Sequence, residues 1–126
     1  MKSRIIVLSL ISALSFGPPA AADIQAKSEI VPVRVGMYAP ADGGCDAPAA
    51  TLIFVEKNGL SANKTTGKVK NVSNRGTDYR LNVLWIEAGS SEADGEADTV
   101  NIAVKDDRSF NFSNGFTEKT LMKWCK

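Results

Sequence analysis

The sequence contains no histidine among its 126 residues. That absence removes Ser-His-Asp and Cys-His catalysis, the commonest general base near neutral pH, and most zinc and copper sites. Cysteine is almost as scarce: Cys45 and Cys125 are the only two, so no Cys-x-x-Cys pair exists. A phosphate-cradling loop and a dinucleotide fingerprint are missing as well. No apolar run reaches the roughly 20 residues of a membrane-spanning helix. Charge is nearly balanced, with 15 basic and 14 acidic side chains and no clustered basic stretch, which makes nucleic acid a poor partner. Paired carboxylates can serve a glycosidase, but the acids here cluster in one segment and beside turns, where solvation accounts for them. The chain is therefore expected not to be an enzyme and to need no cofactor; an enzyme is the most distant of three readings.

What is present begins with an export signal over residues 1–22. Lys2 and Arg4 form a positive start, Ile5 to Phe16 an apolar stretch, and Gly17-Pro18-Pro19 a break. Ala20-Ala21-Ala22 then places small residues before Asp23, as a cleavage site requires. The alternative is an uncleaved anchor. No cysteine follows the site, so lipid attachment is not expected. Cleavage leaves 104 residues with 13 basic and 14 acidic side chains, one domain in length. The expected location is periplasmic or secreted, with no membrane anchor after cleavage.

In an exported chain, two cysteines most simply form one disulfide. A Cys45–Cys125 bridge would close a loop of about 80 residues, worth about 4 kcal/mol in the chain-entropy account. Two free thiols are the alternative.

The rest reads as strands. Asp23 to Ile30 is polar and is expected to be a mobile arm. Val31, Val33, Val35 and Met37 alternate with Pro32, Arg34 and Gly36, the period of a strand. Ala39 to Pro48 is a loop. Thr51 to Lys57 is a strand, turned by Asn58-Gly59 into a return strand over Leu60 to Lys64. Lys68 to Ser73 is a weak strand. Asn74 to Thr77 turns the chain into Tyr79, Leu81, Val83 and Trp85, which alternate with Arg80, Asn82, Leu84 and Ile86. Glu87 to Asp98 is expected to be a solvent loop. Val100, Ile102 and Val104 mark a strand and Phe110 with Phe112 a short one. Asn114-Gly115 is a second hairpin turn, and Phe116 to Trp124 the last strand. The expectation is an all-β domain over 31–126: an antiparallel meander of about eight strands closing into a barrel or curved sandwich.

Several short motifs together resemble a family of small, uncharacterised exported bacterial β proteins. They are Gly36-Met37-Tyr38, Cys45, Asn58-Gly59-Leu60-Ser61, Thr77-Asp78-Tyr79-Arg80, Glu87-Ala88-Gly89 and the closing Trp124-Cys125. The likeness covers most of residues 33–126. Relatives often carry a further cysteine pair where this chain has Gly67 and Trp85. The Cys125-Lys126 ending is also similar to that of the periplasmic lysozyme inhibitors, small β-barrels with a disulfide near that end. Their Ser-x-x-x-x-Tyr segment has no counterpart here, so the likeness implies architecture and not activity.

Two clusters are candidate sites. Glu92, Asp94, Glu96 and Asp98 flank Gly95 in alternation, like part of a calcium loop. The twelfth position counted from Ser90 is Asn101, and the flanks read as strands, so a solvated loop is the default and no metal is expected. Tyr79, Trp85, Phe110, Phe112 and Trp124 either pack the core or line a cavity. Sequons at Asn63, Asn71 and Asn111 carry no meaning in a bacterial export context. The expected function is non-enzymatic binding of another macromolecule in the cell envelope, inhibitor-like in type; the alternative is a carrier of a small ligand in the barrel cavity.

Overall fold

The computed structural model describes residues 26–126; the expected export signal over 1–22 and residues 23–25 lie outside them. Eight strands run in chain order: β1 (Gly36–Pro40), β2 (Ile53–Val55), β3 (Gly59–Ala62), β4 (Thr65–Arg75), β5 (Asp78–Glu87), β6 (Glu96–Asp106), β7 (Ser109–Ser113) and β8 (Thr120–Trp124). Each pairs antiparallel with the next, and β8 returns to β1 through Tyr38 opposite Trp124, so the barrel is closed. Closure leaves no unpaired strand edge. Two single turns of 3₁₀ helix, Ala49–Thr51 and Glu92–Asp94, sit in the connections.

The period-2 pattern decides what faces inward. Val55, Leu60, Leu81, Val83, Val100, Ile102, Phe110, Phe112 and Met122 are buried and meet in one cluster. Tyr38 joins them, its ring centroid 4.7 Å from that of Phe110. An eight-stranded barrel has an interior just wide enough for side chains to fill, and these fill it.

Three expectations are corrected at the element boundaries. The first strand begins at Gly36, not Val31, and Tyr38 rather than Met37 points inward. Gly36 takes a φ of +147°, and a Cβ there would lie 2.3 Å from the Lys126 carbonyl oxygen, so the Val31–Val35 alternation does not run into β1. The expected loop from Glu87 to Asp98 shortens to residues 88–95, because β5 includes Glu87 and β6 already takes up Glu96 and Asp98. Cross-strand pairing with Trp85 and Val83 orders these polar residues, as tertiary context overrides strand propensity. The last strand starts at Thr120. Before it, the Asn114 side chain accepts from the backbone N–H groups of Phe116 and Thr117 at 3.1 and 2.7 Å, an Asx-type turn that holds Phe116 out of the sheet.

Residues 26–30, the described part of the expected mobile arm, are tied down. The Ser28 hydroxyl donates to the Glu56 carbonyl at 2.7 Å, and the Glu29 N–H donates to the Lys57 carbonyl at 2.8 Å. These bonds satisfy carbonyls of the β2–β3 turn that the sheet leaves free. Val31 and Val33 follow, 2% and 0% exposed, and plug this end of the barrel.

Candidate functional site: the open end of the barrel

Strand direction sorts the connections into two groups. The β2–β3, β4–β5 and β6–β7 turns lie with the 26–35 plug at the closed end. There the Tyr38 hydroxyl donates to the Arg34 carbonyl at 2.7 Å, and burial, reinforced by the Asp107 carboxylate, pushes its pKa upward. Trp124 lies under the guanidinium of Arg34 at 4.8 Å and near that of Arg108 at 5.8 Å. The connections 41–52, 63–64, 88–95 and 114–119 lie at the opposite end, which no described segment plugs.

At that end the register builds a lip and a floor. Ile53, Ala62, Thr65 and Glu87 follow one another across β2 to β5. One step deeper, Gly67, Trp85 and Glu96 form the next row. With Phe112 of β7 and Phe116 and Thr117 of the last connection, all of these except Gly67 line an open pocket of about 310 Å³. Its apolar surface comes from Ile53, Ala62, Trp85, Phe112 and Phe116. Its acids are Glu87, Asp94 and Glu96, and no lysine or arginine lines it.

Trp85 is held in this wall from two sides. Its Nε1 donates to a carboxylate oxygen of Asp98 at 2.9 Å, and the other oxygen of Asp98 accepts from the Gly115 N–H at 3.1 Å. Asp98 thus connects the indole to the 114–119 connection.

The two clusters singled out in the sequence are both divided, and part of each meets here. Asp94 and Glu96 line the pocket. Asp98 supports Trp85 instead. Glu92 turns away to Lys68, whose Nζ lies at 2.5 Å, and to Lys70 at 3.9 Å. The hydrogen bond from Lys68 lowers the Glu92 pKa. Among the described residues no three acidic, histidine or cysteine side chains gather as metal ligands.

The five aromatics do not surround one cavity. Trp85 and Phe112 line the pocket, and Phe110 is 0% exposed in the core. Tyr79 packs at the edge of the core. Trp124 serves the closed end, its Nε1 donating to the Val35 carbonyl at 3.3 Å. The expected Cys45–Cys125 disulfide is present, its Cα atoms 5.8 Å apart, and ties the 41–52 connection to the residue after β8.

Sequence reasoning passed over Glu87 and Phe116. Glu87 was in reach, since it lies two residues beyond Trp85 and so shares its face of the strand. Phe116 carried no signal beyond its place after Asn114-Gly115.

Comparison with family models, with curated proteins and with solved structures finds no match to this chain.

Proposed function

We propose that this is an exported, non-enzymatic binding protein that seats a basic side chain of a macromolecular partner in the open end of its barrel. The observation that carries this reading is the pocket itself: an apolar, aromatic wall beside three carboxylates with no cation among its lining residues. A lysine or arginine side chain has the matching form, an apolar stem ending in a charge. An aromatic face adds attraction for that charge. The 1–22 signal and the disulfide support an exported setting.

The barrel interior beneath the pocket is filled by side chains. A carrier encloses most of its ligand's surface, whereas an open pocket at the rim of the barrel suits a group projecting from a larger partner. An enzyme presenting such a group would be occluded, which is the inhibitor-type form of this reading.

The test is titration of the oxidised protein with short peptides carrying one lysine or arginine among neutral residues, followed by tryptophan fluorescence. The basic peptides are expected to bind, the norleucine and glutamate versions to bind weakly, and Glu87→Gln with Asp94→Asn and Glu96→Gln to lose the difference. Equal binding of basic and neutral peptides overturns the reading. Tight binding of an uncharged apolar small molecule, with no response to basic peptides, would favour the carrier instead.

A further inference from the structure

The outer wall of the barrel carries a second concavity, far from the carboxylates of the open end in chemistry. Register brings Ser73, Arg80, Asn101 and Ser113 into one cross-strand row over β4 to β7. The neighbouring row, two residues along each strand, is Arg75, Asp78, Ala103 and Asn111. Each row crosses four strands, a width of roughly 14 Å at the usual strand spacing. With Lys119 from the 114–119 connection, the two rows line a trough of about 660 Å³.

Its chemistry differs from an ordinary solvated strand face. Amides and hydroxyls make the middle, with Ala103 leaving space among them. Three cations stand around it. None of Arg75, Arg80 and Lys119 forms a salt bridge with another described residue, although Asp78 shares the trough.

We infer that this trough binds a segment of an acidic glycan. Arginine presents a planar fork that meets carboxylate or sulfate oxygens with two hydrogen bonds. Asparagine and serine side chains both donate and accept, which is what sugar hydroxyls require of a partner. Spaced cations over an amide and hydroxyl bed therefore match spaced anions on a hydroxyl-rich chain. An extended acidic peptide is served less well, because such peptides add to sheet edges and the closed barrel has none. Nucleic acid is disfavoured by the nearly balanced charge of the chain, net +1, since phosphate-backbone binding draws on many cations.

The experiment is calorimetric titration of the oxidised protein with three oligosaccharides of equal length, one uronate-based, one sulfated and one neutral, and with a single-stranded oligonucleotide of similar charge. At least one acidic oligosaccharide is expected to bind, the neutral one not, and binding to weaken with added salt. Which acid binds tighter tells carboxylate from sulfate. Arg75→Gln with Arg80→Gln is expected to weaken it roughly tenfold or more. Asn101→Leu, which keeps the charges and removes an amide, should weaken it as well. Both sites are exposed, and an unchanged melting temperature verifies the fold. Absence of binding to either acidic oligosaccharide at millimolar concentration overturns the inference. So does undiminished binding by the arginine variant, or preference for the oligonucleotide.

Discussion

Gly67 lies against the indole of Trp85, opposite it in the β4–β5 register. A methyl group on Gly67 would come within 2.6 Å of Cζ3 and 3.0 Å of Cε3. The ring is anchored through its Nε1 to Asp98, so it has little freedom to retreat. Gly67 is the space that lets Trp85 form the pocket wall.

Gly67→Ala is therefore expected to displace the indole and strain the Asp98 hydrogen bond. The cost is about 1–3 kcal/mol, in the range of overpacked cores. Denaturant unfolding measures the loss, and near-ultraviolet circular dichroism reports the tryptophan environment. An unchanged midpoint with an unchanged spectrum would contradict the contact.

Cys125→Ser reopens a loop with a sequence separation of 80 residues. The chain-entropy account puts the loss at about 4 kcal/mol, a large part of the stability of a domain this size. Chemical unfolding of the variant against the oxidised protein gives the value. Thiol titration of the denatured, unreduced protein should find no free thiol; two reactive thiols would refute the bridge.

Tyr38 sets an alkaline limit. Its pKa is raised in the folded state, by burial first and then by Asp107 and, more weakly, Asp106, while Arg34 opposes the shift. The folded protein keeps the proton that an unfolded tyrosine releases near pH 10. The contribution is thus fully present below about pH 10 and is lost as pH rises from there toward the folded-state value. Tyr38→Phe should flatten that alkaline decline. It should also cost about 1–2 kcal/mol at neutral pH, because the Arg34 carbonyl loses its donor. Denaturant midpoints across alkaline pH for both proteins check the two effects, and parallel declines would show that Tyr38 is not their source.

Calcium is expected to leave the melting temperature essentially unchanged. Of the four alternating carboxylates, Glu92 is engaged by Lys68 and Asp98 by Trp85 and Gly115. A site on the folded state would add about 2.7 kcal/mol at a hundred times its dissociation constant, a shift of several degrees. A rise above about 5 °C, abolished by Asp94→Asn with Glu96→Gln, would reassign the segment as a metal site.

Much of the barrel is legible in the residues alone. Leu81 and Val83, Val100 and Ile102, and Phe110 and Phe112 all face inward as their alternation requires, because strand side chains have a period of two. Asn58-Gly59 falls in the β2–β3 hairpin for an equally local reason, since both residues accept turn conformations. Where a boundary depended on a distant partner, the local pattern misled. Nothing within Glu92 to Asp98 indicates that Glu96 and Asp98 pair with Trp85 and Val83, or that Gly36 must turn beside the Lys126 carbonyl.

The sequence by itself determined the strands, most of their inward faces and the pairing of the only two cysteines, because these follow from short-range periodicity and from composition. The tertiary structure alone decided which end of the barrel stays open, and that Glu87, Asp94 and Glu96 meet Trp85, Phe112 and Phe116 there. It alone aligned Arg75 and Arg80 with Asn101 and Asn111 across four strands. Both sites arise from register between segments distant in the chain, and register is settled by how the whole sheet closes around its core.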